Sequence, residues 1–254
     1  MLKTRIIPTL LFKNVGLVKG KEFDSGRRVG AALQSIRVYN LREVDELVFL
    51  DIAATPSGAR PDFREIDELA DNCFMPMTVG GGVKSLDDIR DLLAVGADKV
   101  AINSAAVETP ELVRAGANEF GSQCIVVSID VRHGADGKAE VFTHCGTRST
   151  GRDAVSWAKR VEELGAGEIL LTSIERDGMM AGYDVELVRD VAAAVNVPVI
   201  ASGGCGNYGH MASVLANTRA SALAAASIFH FTEQTPREAK RHLAGLGHRV
   251  RLAT

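Results

Sequence analysis

Short apolar runs of strand type return along the whole chain at similar spacing, with helix-type segments between them, and this alternation constrains the fold more than any other feature. The runs are Arg5–Leu11, Glu46–Asp51, Met75–Val79, Lys99–Ile102, Ile125–Asp130, Glu168–Thr172, Pro198–Ala201 and Ser221–Ala225. Between them, segments such as Arg64–Asn72, Leu86–Ala94, Pro110–Asn118, Ala154–Leu164 and Val185–Val195 keep their charged residues on one helical face. A strand that is apolar at successive positions has no face to give to water, so it is covered on both sides, as parallel strands between helices are. Eight βα units in 254 residues predict an α/β protein, a (β/α)8 TIM barrel whose working face is the set of loops after the strands' C-terminal ends. A doubly wound sheet is the structural alternative. No linker or low-complexity gap interrupts the run, so a single barrel domain over residues 1–254 is expected. After Asp130 the stretch VRHGADGKAEVFTHCG, with its Asp136-Gly137 turn, predicts a hairpin inside the fifth βα loop.

Composition narrows the function classes. The chain is 46% hydrophobic and 24% charged, enough to bury a core and too apolar for disorder. Its 29 basic and 32 acidic residues leave no basic footprint for nucleic acid and no polybasic surface for a membrane. The N-terminal apolar stretch, Ile6 to Phe12, is too short to cross a bilayer. Cys73, Cys124, Cys145 and Cys205 form no CxxC pair, and His133, His144, His210 and His230 have no metal-ligand spacing. A cytoplasmic protein with reduced thiols and neither metal nor cofactor is expected.

The two halves of the chain resemble each other: Glu46–Asp51 matches Glu168–Ser173, and Thr78-Val-Gly-Gly-Gly82 matches Ala201-Ser-Gly-Gly-Cys205. Gly80-Gly81-Gly82 follows a strand and precedes a helix starting near Ser85, an arrangement that lets backbone N–H groups approach an anion, and Gly203-Gly204 with Gly206 repeats it. Ordinary tight turns explain either one alone. Two related sites, with Asn103-Ser104 after strand four and Ser227 after strand eight, favour a ligand carrying a phosphate at each end. Asp130 ends strand five and Asp51 ends strand two, where a carboxylate faces the shared mouth and serves as a general acid or base, or as a structural cap. Asp177-Gly178 after strand six has the same ambiguity. Arg5, Glu46, Lys99 and Glu168 begin strands one, two, four and six, and unpaired charges are prohibitive in a core, so they are expected to close a ring of ion pairs at the opposite mouth. That ring is either a plug or a gate for something small. Lys13 and Lys19 lie in FKNVGLVKGKEF, a glycine-punctuated segment readable as a mobile lid, although such loop lysines are more often solvated than catalytic.

RIIPTL, VDELVFLDI, TVGGGV, GADKVAINSAAV, FGSQ, GAGEILLTSIERDG, GYD, VPVIASGG and ASIFHF resemble, in order and over nearly the whole chain, the cyclase subunit of imidazole glycerol phosphate synthase of histidine biosynthesis. The resemblance implies a glutaminase partner docked on the barrel's bottom face and ammonia passing through the barrel to a bis-phosphorylated substrate at the top. By the same carry-over Arg5, Glu46, Lys99 and Glu168 become the ammonia gate and Asp98 a partner contact. Gly82, Asn103 and Ser104 would bind one phosphate; Asp177, Gly178, Gly204, Ala226 and Ser227 the other; Lys19 becomes a lid residue.

In that family two aspartates, at the ends of strands one and five, handle the protons of imidazole closure. Here Asp130 stands at the second position and Leu11 at the first, and Leu11 is also Asp130's mate in the internal repeat. Leucine cannot exchange a proton, and one acid or base contributes roughly 10²–10⁴-fold, so the usual cyclisation is expected to be disabled unless Asp51 or a loop residue has taken over. IIPTLLFKNVGLVKGKEF is similar to a variant branch associated with acetamidino sugars of bacterial surface polysaccharides, which implies a phosphorylated or nucleotide-linked substrate and a separate sugar amidotransferase. Met179-Met180 and His144-Cys145 also depart from the usual residues at the mouth. The ordinary histidine-pathway lyase and a non-catalytic ammonia-channelling scaffold are the alternatives. An ionisable group opposite Asp130 in place of Leu11 would remove the reason for divergence.

Overall fold

The computed structural model describes residues 3–252 except 15 and 43, with the backbone alone at 25. Eight parallel strands form its centre: β1 (Arg5–Lys13), β2 (Leu47–Asp51), β3 (Met77–Gly80), β4 (Lys99–Ile102), β5 (Ile125–His133), β6 (Glu168–Ser173), β7 (Val199–Ser202) and β8 (Ala222–Ala225). Each pairs with the next, and β8 returns to β1 with Arg5 opposite Ala222, so the sheet closes and the doubly wound alternative is excluded. The outer helices are α1 (Ala32–Leu41), α2 (Phe63–Ala70), α3 (Leu86–Ala94), α4 (Glu111–Phe120), α5 (Ala154–Glu163), α6 (Val185–Ala194), α7 (Tyr208–Asn217) and α8 (Pro236–Gly245). The fold is a single-domain (β/α)8 barrel.

Local chemistry fixes where the helices begin. All but α1 and α4 open on a side-chain cap: Asp62, Ser85, Asp153, Asp184, Asn207 and Thr235 each accept a backbone N–H of the first turn. Ser85 with Asp88, and Thr235 with Glu238, complete reciprocal capping boxes. Apolar side chains separate into two bodies. One lies between sheet and helices, and the other, Ile7, Val48, Ala101, Val126, Leu170, Ile200, Ala222 and Ala224, fills the barrel interior. Period-two alternation along the strands sends these residues inward and their neighbours outward.

Two antiparallel insertions rise over the C-terminal mouth. β5 runs on to His133 and pairs with Ala139–Thr143, the hairpin expected from the sequence, and Arg148–Asp153 adds a third strand. The segment read as a glycine-punctuated lid is also a hairpin, Gly16–Lys21 with Asp24–Gly30, whose first strand pairs with the end of β1 (Leu11 opposite Val18). Its alternation is broken by register shifts at Leu17/Val18 and Lys19/Lys21, which is why the pattern does not read as strand. Among the described residues no helix is long and apolar enough to cross a membrane.

Candidate functional site

At the N-terminal face four charged residues meet. Arg5 donates to Glu46 Oε2 at 2.6 Å and to both oxygens of Glu168, and Lys99 Nζ bridges Glu46 Oε1 and Glu168 Oε2, each at 2.9 Å. Two cations and two carboxylates therefore alternate in a closed cycle. Burial raises the Glu168 pKa, but the bonds from Arg5 and Lys99 outweigh it and hold the carboxyl below its ordinary value. Thr78, on β3, donates to Glu46 Oε1 at 3.0 Å, an uncharged support to the ring that a search for charges at strand starts does not reveal. Glu46 lies one residue before β2 rather than on it.

The same face carries an apolar patch. Leu41 ends α1 and Phe74 lies in the α2–β3 connection; their exposures are 79% and 84%. Asn40 ties the two connections together, donating to Asn72 O at 2.7 Å and accepting from Phe74 N at 3.1 Å. Asp98 is exposed next to Lys99, its carboxylate fixed by Met77 N at 2.8 Å.

At the opposite end a cavity of about 430 Å³ opens between the strand ends and the two hairpins. Asp130 lies in its wall, buried, accepting from Asn103 Nδ2 at 3.0 Å and Ser128 Oγ at 3.5 Å. Burial, and next the charge of Asp177, push its pKa up to about 7, with the Ser128 bond pulling weakly the other way. A carboxyl there can give or take a proton at neutral pH. Asp51 shares the cavity: its Oδ1 accepts from Ala53 N (2.8 Å) and Ala54 N (3.2 Å) at the start of the short helix Ala54–Ser57, and burial raises its pKa in spite of those bonds.

Lys19 is buried rather than solvated. It is 2% exposed, and its Nζ bonds both Asp177 oxygens at 2.7 and 2.6 Å inside the cavity. The hairpin carries it inward and is held there by Glu22 N to Asp177 O at 2.8 Å. This arrangement gives Asp177 a partner other than an anion: Lys19 takes the carboxylate, and the carbonyls of Ser173 and Ile174 take its N–H.

The two glycine cradles differ. Gly82, Asn103 and Ser104 line the cavity. Gly82 N donates to Thr55 Oγ1 at 3.2 Å, and Ser104 Oγ accepts from His144 N at 3.0 Å. Gly178, Gly204, Ala226 and Ser227 are not on its wall. A Cβ at Gly178 would sit 1.9 Å from Gly20 O, and one at Gly204 2.1 Å from Gly182 O, so neither position has room for a side chain. Ser227 Oγ is nevertheless buried without a hydrogen-bond partner, as is Thr9 Oγ1 in the cavity wall. Thr9 and Thr172 face the cavity from β1 and β6, inward positions that strand parity could have revealed.

A closed (β/α)8 barrel with an ionic ring below and glycine cradle and buried aspartate above is the setting for one comparison. A family model described as histidine biosynthesis protein matches residues 5–235. The chain belongs to that family.

Within this histidine-biosynthesis barrel, Leu11 stands in the cavity wall with Asp130. The registers make them equivalents: Leu11 pairs with Leu50 of β2 and Val18 of the first insertion, Asp130 with Thr172 of β6 and Phe142 of the second. The nearby Lys19–Asp177 pair is ionisable, yet both Asp177 oxygens are engaged by Lys19.

Proposed function

We propose that this chain is a cyclase-type synthase subunit which takes ammonia from a glutaminase and delivers it through the barrel to a phosphorylated or nucleotide-linked substrate beside Asp130. The carrying observation is the stacking of three layers along one axis: the Arg5–Glu46–Lys99–Glu168 ring, an interior of apolar side chains, and the Asp130 cavity. A neutral molecule of ammonia's size suits such a path, because an apolar interior penalises a charged ammonium far more than ammonia. The ring allows a simple opening: Arg5 bridges both carboxylates, so Lys99, the most exposed member, can swing away while Glu46 and Glu168 keep a cation. The exposed Phe74 and Leu41, beside Asp98, supply the large apolar anchors and polar rim expected where a glutaminase docks. At the mouth Asp130 moves the proton, and the Gly82–Asn103–Ser104 cradle holds a phosphate. Four free thiols are consistent with a reducing cytoplasm.

The finer reading is that Leu11 has taken the chain away from imidazole closure toward acetamidino-sugar formation for surface polysaccharide, with a separate sugar amidotransferase as recipient or partner. Ordinary imidazole closure is the second reading, and the Lys19–Asp177 pair beside Asp130 is the observation that favours it. An ion-paired carboxylate bound on both oxygens is poorly placed to exchange protons, which supports the first.

The test offers the chain, with its glutaminase, the ribonucleotide substrate of the histidine pathway, ammonium salt replacing glutamine. No imidazole product is expected; robust product from the unmodified chain refutes the divergence. A scaffold is separated by Asp130→Asn: unchanged product in the sugar pathway means that the chain channels ammonia and does no chemistry.

A further inference from the structure

Just outside the ionic ring lies a second buried ion pair that no step above uses. Lys240 Nζ, on α8, bonds Asp45 Oδ1 at 3.0 Å, with side chains 5% and 4% exposed. Asp45 Oδ2 accepts Ile6 N at 3.0 Å. The sequence neighbours of these two anchor points are ring members, Glu46 after Asp45 and Arg5 before Ile6.

The seam between β1 and β2 explains what this pair does. Successive N–H groups along a parallel strand point to opposite neighbours. Arg5 N points to β8, bonding Ser221 O at 3.5 Å, and Ile6 N points to β2. By the same alternation Pro8 faces β2, and it has no N–H to give. The ladder between β1 and β2 accordingly runs only from Thr9 opposite Val48 to Phe12 opposite Asp51. Below it, at the height of the ring, the Asp45 carboxylate takes the place of ladder pairing, accepting the one donor that β1 presents to β2 there. A carboxylate so deeply buried needs a cation, and Lys240 supplies it from the last helix.

We infer that Asp45, held by Lys240, is the positioning residue that sets the Arg5–Glu46 edge of the ring, so that α8 governs whether the ring stays closed. The inference rests on the gate reading for its use and stands on this bond network for its geometry. Neither residue touches a reacting group. Loss of Lys240 leaves Asp45 charged and uncompensated, and it must turn toward water, releasing Ile6 and with it the registration of Arg5 against Glu46.

The experiment reads Arg5 directly. In the full chain, hydrogen exchange of the Arg5 Nη–H protons, which bond Glu46 and Glu168, is followed by NMR in the wild type, Lys240→Met, Lys240→Arg and Asp45→Asn, with Arg60 Nε–H, bonded to Asp88 at 2.6 Å on another face, as internal reference. Lys240→Met is expected to speed exchange at Arg5 by about tenfold, equivalent to roughly 1.4 kcal/mol in the opening equilibrium, and to leave Arg60 unchanged. Lys240→Arg should restore most of the protection. Should Lys240→Met fail to fold, Asp45→Asn, which keeps an acceptor for Ile6 but loses the charge, reads the same signal at a smaller acceleration. Unchanged exchange at Arg5 in a folded variant, or equal acceleration at Arg5 and Arg60, overturns the inference. The gate reading fails separately: Lys99→Ala in the complex with glutaminase leaving ammonia transfer unaltered would remove the gate while the positioning of Arg5 stood.

Discussion

Asp130→Asn is expected to stabilise the protein at neutral and alkaline pH while abolishing the acid–base group. In the folded state Asp130 keeps its proton to about pH 7, against 3.8 for the free side chain, because burial and then Asp177 disfavour its charge. Between those values the unfolded chain has already lost the proton that the folded chain retains, so stability falls as pH rises through the window and is fully lost from this site above about pH 7. Three pH units at about 1.4 kcal/mol each withhold roughly 4 kcal/mol, of which roughly 3 accrue between about pH 5 and pH 8. Asparagine cannot ionise, so it escapes that loss. It also misplaces one hydrogen bond, since Asp130 accepts from both Asn103 and Ser128, at a cost of about 1–3 kcal/mol that does not vary with pH. The pH dependence of the difference is therefore the clean quantity. Urea unfolding of both proteins from pH 5 to pH 8, followed by fluorescence of Trp157, the chain's single tryptophan and buried on α5, measures it. The variant's advantage should widen by roughly 3 kcal/mol with rising pH; a difference that stays flat across the range would refute the buried, coupled Asp130.

Leu11→Asp should raise imidazole formation from the ribonucleotide by about 10²–10⁴-fold, measured at saturating ammonium, if the rest of the pocket is intact; no rise means that the pocket has changed beyond this one position. Phe74→Asp should weaken glutaminase binding by at least about 2 kcal/mol in titration calorimetry without shifting the chain's own unfolding midpoint, because the side chain is 84% exposed in the free barrel. Gly178→Ala should loosen the first hairpin: its φ is +73° and the added Cβ would meet Gly20 O at 1.9 Å, so trypsin should cut beside Lys19 in the variant and spare it in the wild type.

How much of this was legible depends on whether the controlling interaction is local. Strand and helix alternation follows from period and burial, so all eight strands fall within a few residues of their expected places, and α3 spans Leu86–Ala94 as read. The ring was readable because four charges at strand starts have no solution except one another. Lys19 was not: solvated and buried lysines look alike in sequence, and its burial depends on Asp177, 158 positions away. The paired phosphate cradles were inferred from symmetry, yet Gly82, Asn103 and Ser104 of the first all line the cavity while of the second set Asp177 alone does, bound there by Lys19 from the hairpin. Asp45 and Lys240 gave no signal either, being one acid among a polar stretch and one lysine on an amphipathic helix.

The hairpin also decides how Leu11 should be understood. Had the first insertion shifted the register of β1, leucine might have come to the mouth by a one-residue slip, leaving a polar neighbour to serve. The pairings exclude that. β1 and β5 are each fixed twice, to the next barrel strand and to their own insertion, and on both counts Leu11 occupies Asp130's place. Strands one and five thus share one geometry within the molecule and differ in chemistry, leucine standing where the other carries Asp130. An apolar wall now faces a carboxyl whose pKa is already raised to about 7, first by burial. Under the proposed function, a site with one such carboxyl and leucine at the matching position suits a single proton transfer better than the two-sided exchange of ring closure.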